Sequence, residues 1–124
     1  MSMVSEEPGR LSTVINYQIL TMGTGGMLDN FLQALEITGA VEKIKRIILV
    51  TGCKQYGVHL GQSKNPLQED DPWLTDSSFP PNFYYNQQNI LKDYTKKHSN
   101  ISWVVTYPND VIGFANGNFM NLGR

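Results

Sequence analysis

The sequence predicts an α/β fold with a small parallel sheet flanked by helices, and three observations predict it. Two short apolar runs, residues 46–51 and 101–107, are rich in β-branched residues and bounded by turn formers. An amphipathic stretch at 83–97 lies between them. A second helical pattern precedes the first run. The order strand, helix, strand calls for a parallel, right-handed βαβ unit. At 124 residues the chain is long enough for one small domain, and with 40% hydrophobic residues it can bury a core.

Taken in order, residues 1–26 stand apart from the rest. Val14-Ile15-Asn16-Tyr17-Gln18-Ile19-Leu20 reads as a strand, the least secure of three, and Gly23-Thr24-Gly25-Gly26 breaks it. That glycine run invites comparison with a phosphate-binding loop. A dinucleotide fingerprint needs glycine at its sixth position, which here is Leu28, so the run reads as a linker. Leu28, Phe31, Leu32 and Leu35 share one helical face and predict a helix over 27–38, ended by Gly39. Val41 and Ile44 belong to a further turn leading to the strand at 46–51. That strand is nearly all apolar, as expected for one covered on both faces. Residues 55–81 form a long polar loop with Glu69, Asp70 and Asp71 in a row, expected as solvated surface, and prolines at 66, 72, 80 and 81. In the helix at 83–97, Tyr84, Leu91 and Tyr94 make the buried stripe with Ile90 at its margin. Lys92, Lys96, Lys97 and His98 lie near its C-terminal end, where cations favour the helix dipole. Asn100 marks the turn into the last strand. Pro108 and a glycine- and asparagine-rich tail follow it.

Composition excludes several classes of function. Net charge is −1 and no basic cluster exceeds Lys96-Lys97, so nucleic-acid binding has no electrostatic footprint. No apolar run approaches a membrane span, and residues 1–22 lack the continuous apolar core of a signal peptide. Cys53 is the single cysteine, which favours a reducing, cytoplasmic setting. One cysteine and two distant histidines, His59 and His98, give no metal-site signature.

Ligands of parallel α/β sheets sit at the carboxyl ends of the strands. Thr51, Gly52 and Lys54 lie at or just past one such end, Pro108 and Asn109 past the other, and Tyr84 opens the helix between. A phenol titrates near 10 when unperturbed and is a poor acid at neutral pH. A neighbouring ammonium lowers that value. Lys54 and Tyr84 are therefore candidates for donating a proton to a carbonyl or enolate oxygen, or for stabilising negative charge there. The commonplace readings are a solvated loop lysine and a half-buried helix tyrosine beside Tyr85, and from spacing alone these carry more weight. Cys53 has no His or Asp placed to activate it and reads as a bystander thiol. Trp73 and Trp103 read as packing residues.

Several stretches together resemble the progesterone 5β-reductase and iridoid synthase-like group of short-chain dehydrogenases/reductases, fungal members especially. They are Met27-Leu28-Asp29-Asn30-Phe31-Leu32, the run 49–56 (Leu-Val-Thr-Gly-Cys-Lys-Gln-Tyr), Asn82-Phe83-Tyr84-Tyr85, Ser102-Trp103-Val104-Val105, Pro108, Val111-Ile112-Gly113-Phe114 and the run 118–122 (Asn-Phe-Met-Asn-Leu). The resemblance implies a Rossmann-type fold and NADPH-dependent reduction of an enone or carbonyl in a small terpenoid- or polyketide-like substrate, in fungal secondary metabolism. Ordinary short-chain dehydrogenases pair a tyrosine with a lysine four residues on; here that position is Gln88. The group instead uses a lysine past the preceding strand, matching Lys54, with the first tyrosine of the Asn-Phe-Tyr-Tyr motif, matching Tyr84. Tyr85 is the fallback if the register slips by one. The same resemblance places Thr51, Tyr84, Val111, Asn118, Phe119 and Met120 against the nicotinamide, with Lys54 holding the ribose or lowering the phenol's pKa.

The group's glycine-rich cofactor-binding turn has no counterpart here, and residues 1–26 do not resemble the group. The expected organisation is therefore an N-terminal segment, 1–26, followed by a partial, apparently truncated reductase domain, 27–124. Two alternatives stand beside the enzyme: a non-catalytic remnant, and an interaction module that self-associates through an exposed sheet edge.

Overall fold

The structure, a computed structural model, describes residues 8–114, 116 and 117. Helix α1, Pro8–Ile37, leads through a short 3-10 turn, Ala40–Glu42, into strand β1, Arg46–Val50. A 3-10 turn at Cys53–Tyr56 and a long loop follow, then helix α2, Phe83–Lys97, and strand β2, Ser102–Thr106. The two strands pair in parallel, with Ile47 opposite Trp103 and Leu49 opposite Val105. This is the expected βαβ unit, and the fold is a partial α/β arrangement with a small parallel sheet flanked by helices.

The strand expected at 14–20 is instead part of α1, and the glycines at 23, 25 and 26 lie inside that helix rather than breaking it. A strand there would need a neighbour for its backbone groups, and the described sheet has only β1 and β2. A helix satisfies those groups within the segment, so β-branched propensity loses. Interior glycine costs about 1 kcal/mol relative to alanine. At Gly25 it has a use, because a Cβ there would run into the Asn86 amide and lie 3.3 Å from Ile90 Cδ1 on α2. The two helices meet closely at that point. The helix also runs unbroken through the 26/27 boundary expected from sequence. Gly39 ends α1 in the left-handed region, at φ 68°.

Leu32 and Leu35 of α1, Val41, Ile47 of β1, Leu91 of α2 and Ile101 form one buried cluster, flanked by Leu28, Ile90, Tyr94 and Val105. Leu91 is fully buried. Gln88 and Thr95, on the same side of α2, are buried too, the latter by returning its hydroxyl to the Leu91 carbonyl at 3.0 Å. Both helices contribute to this one core. Among the described residues the opposite face of the sheet is bare, contrary to the coverage expected of β1: Ile48 and Val50 are 62% and 65% exposed, and Val104 is exposed beside them. Among the described residues no helix is long and apolar enough to cross a membrane.

The loop before α2 is tied to itself and to the helix. Lys64 pairs with Asp71, which also accepts the Gln68 N–H at 2.8 Å. Asp71 is thus set apart from the solvated trio expected from sequence. Hydrogen bonding from Lys64 holds its carboxyl below the ordinary carboxylate value. Trp73 stacks on Tyr85, centroids 4.4 Å apart, with the Lys92 ammonium 4.3 Å from the indole centroid.

Candidate functional site

The carboxyl ends of β1 and β2 are joined by Thr51. Its N–H and its hydroxyl both donate to the Thr106 carbonyl, each at 2.9 Å. The residue is buried and its proton is committed to the backbone. Beyond it the chain passes through Gly52 in an extended conformation.

Gly52 is where three elements meet. A Cβ at this position would lie 3.1 Å from the Tyr84 hydroxyl, 3.7 Å from Tyr84 Cζ and 3.5 Å from the Pro108 carbonyl oxygen. The phenol of α2 therefore rests over the end of β1, beside the residue that follows β2. Gly52, Tyr84 and Pro108 meet at this rim, and a side chain at 52 would crowd it. The sequence signal for Gly52 was only its place at a strand end. Its role in leaving room for the phenol emerges from tertiary contact.

Tyr84 is fixed by the start of α2. Asn82 caps the helix, its Oδ1 accepting the Tyr84 N–H at 3.0 Å. The Tyr84 ring leans on Phe83, centroids 4.2 Å apart. Burial, and secondarily the Cys53 thiol, raise the phenol's pKa above its ordinary value. A downward pull from Lys54 was expected. Instead that ammonium, on the exposed side of the Cys53–Tyr56 turn, bears on His59, whose pKa is lowered first by burial and then by Lys54.

Tyr85 is occupied otherwise. Its hydroxyl donates to the Gln55 carbonyl at 2.8 Å and accepts the Leu74 N–H at 3.0 Å. Of the two adjacent tyrosines, Tyr84 is the one at the rim. Gln88 is buried and donates to the Tyr107 hydroxyl at 3.1 Å. Tyr107 in turn meets Tyr56 edge to face, centroids 5.6 Å apart. Gln55, 4% exposed, has no hydrogen-bond partner at either end of its side-chain amide among the described residues. Such a group is costly to bury.

Val111 is exposed in the segment after β2. Asn118, Phe119 and Met120 lie outside the described residues. Among the described residues no cluster of three or more His, Cys, Asp or Glu is arranged to hold a metal ion.

Residues 27–124 match the model of the PRISE-like Rossmann-fold domain. An uncharacterized protein of Schizosaccharomyces pombe is 40% identical over 107 residues, 86% of this chain and 26% of that protein. A 3-oxo-Delta(4,5)-steroid 5-beta-reductase of Arabidopsis thaliana is 35% identical over 106 residues, 79% of this chain and 25% of that protein. An (S)-8-oxocitronellyl enol synthase of Nepeta racemosa is 37% identical over 106 residues, again 79% and 25%. The chain spans about a quarter of the length of these relatives. With the match covering most of the chain and the βαβ unit in place, the chain belongs to the PRISE-like Rossmann-fold family, in the 5β-reductase and iridoid synthase-like group of short-chain dehydrogenases/reductases.

Proposed function

We propose that this chain carries the proton-donating and nicotinamide-facing part of an NADPH-dependent reductase acting on an enone or carbonyl of a small terpenoid- or polyketide-like metabolite. The observation that carries the reading is the Tyr84 hydroxyl over Gly52, beside the Pro108 carbonyl, at the carboxyl rim of the parallel sheet. Relatives named as a steroid 5-beta-reductase and an 8-oxocitronellyl enol synthase supply the substrate class. A cytoplasmic setting and a place in secondary metabolism belong to the same proposal.

The absence of a side chain at Gly52 lets the Tyr84 hydroxyl lie against the strand end, which supports reading this rim as the nicotinamide end of a cofactor site. Thr51, Tyr84 and Val111, with Asn118, Phe119 and Met120, would hold it. When bound, NADPH supplies hydride. The chain's own part is the proton. Burial raises the Tyr84 phenol above its ordinary value, so in the resting site it serves as a neutral hydrogen-bond donor to the substrate oxygen where negative charge collects, and gives up its proton only as that oxygen becomes strongly basic. Transfer of that proton leaves a phenolate, reprotonated from solvent. Of the two roles expected for Lys54, the raised phenol favours holding the ribose.

A titration with NADPH followed by the fluorescence of Trp73 and Trp103 tests cofactor binding. In an assay of NADPH-dependent enone reduction, Lys54→Met and Tyr84→Phe should each lower turnover by about 100-fold or more with the fold intact. Unchanged rates in both would remove the assignment.

The bare sheet face formed by Ile48, Val50 and Val104 favours a second reading, a non-catalytic segment acting by association. Absence of any response to millimolar NADPH, with a discrete oligomer on size exclusion, would support it.

A further inference from the structure

Asn82 touches both halves of the candidate site. While its Oδ1 accepts the Tyr84 N–H, its Nδ2 donates to the Lys54 carbonyl at 2.8 Å. The orientation of the amide is set by these partners: one end faces a donor and the other an acceptor, and the flipped amide satisfies neither. The next carbonyl of the same turn, Gln55, takes the Tyr85 hydroxyl. Two consecutive carbonyls of the Lys54-bearing turn are thus fastened by side chains from the start of α2. The turn's own bonds, such as Gln55 N–H to Gly52 O at 2.9 Å and Gly57 N–H to Lys54 O at 3.1 Å, are local. A turn of four residues held by local bonds alone opens readily.

We propose that Asn82 is a positioning residue whose side-chain amide couples the turn bearing Lys54 to the helix end bearing Tyr84, with Tyr85 as a second fastening. The proposal rests on reading Lys54 and Tyr84 as the functional pair. Capping alone does not account for asparagine here. Aspartate caps as well, but has no proton to give the Lys54 carbonyl. Serine also caps, with a shorter side chain that cannot serve both partners at once. The motif Asn82-Phe83-Tyr84-Tyr85 is therefore one device: a coupler, a packing ring, a proton donor and a fastener.

The test uses the full chain and needs no turnover. Asn82→Asp and Asn82→Ser keep the cap and remove the donor. Amide hydrogen exchange should leave α2 protected while the Gln55 and Gly57 amides exchange about 5- to 10-fold faster, the size of one lost hydrogen bond. Alkylation of Cys53, the single cysteine and a member of the turn, should accelerate to a similar extent. The Tyr84 phenol, followed by NMR with labelled tyrosine, should titrate closer to its ordinary value as the turn and its thiol move off. Turn amides, Cys53 and phenol all unchanged would reduce Asn82 to a cap and overturn the proposal. If α2 also loosens, Tyr85→Phe decides, since it leaves the cap untouched. Faster exchange confined to the turn supports the coupling, and no change there overturns it. Failure of these readouts leaves the Tyr84 assignment standing, and failure of Tyr84→Phe to slow turnover leaves the coupling standing, so the two are separable.

Discussion

The phenol of Tyr84 owes its place to a residue with no side chain. Gly52→Ala puts a methyl group 3.1 Å from the hydroxyl, tighter than such contacts tolerate, so the ring must shift by a few tenths of an ångström. Because misplacement by about 1 Å can cost roughly 100-fold in rate, Gly52→Ala should lower turnover severalfold while the thermal midpoint stays near that of the parent. Parallel rate and melting measurements check this. His59 reports on Lys54 separately. Burial and the ammonium both disfavour its protonated form, so its folded pKa lies below 6.5. Its contribution to stability is full above the unfolded value and is lost as pH falls from about 6.5 towards the folded value. Lys54→Met removes the second cause only, so the His59 resonance should titrate higher than in the parent yet still below its ordinary value. The place of Tyr84 at the strand ends was legible because its motif is local in sequence and opens the helix between the strands. The partners of Tyr85 and Asn82 were not, because they are carbonyls and amides of a distant loop, and no residue type at those positions announces them.

At the level of the elements, β1, α2 and β2 were legible from apolar runs and helical periodicity. The beginning of α1 was not. Val14, Ile15 and Ile19 favour a strand in isolation, and only the lack of a pairing partner in the described sheet turns the segment helical. The glycines were misread for the same reason, since a helix crossing is invisible in a single segment. Two of them separate cleanly. Gly26→Ala meets nothing within 4 Å and should stabilise by about 1 kcal/mol through helix propensity. Gly25→Leu drives a side chain into Asn86 and Ile90 and should destabilise by about 1–3 kcal/mol. Denaturant unfolding of both variants checks the contrast.

For the whole molecule, the apolar run of β1 implied cover on both faces, and the structure gives it on one. The core that does form is small and centres on Leu91, so Leu91→Ala should cost about 2–5 kcal/mol, a large share of the stability of a domain this size. The bare face invites association with another apolar surface. Ile48→Thr combined with Val104→Thr should change folding stability by no more than about 0.5 kcal/mol per site; if the chain associates through this face, as the second reading proposes, the pair should also lower the sedimentation coefficient to that of a monomer. The candidate site stands at one rim of this half-covered sheet, and the proposed chemistry rests on a single hydroxyl there. The most direct test is the rate of NADPH consumption with a simple α,β-unsaturated ketone, compared between the parent chain and Tyr84→Phe. A fall of about 100-fold or more at unchanged thermal midpoint is the expected result; equal rates, or no consumption by the parent, would contradict it.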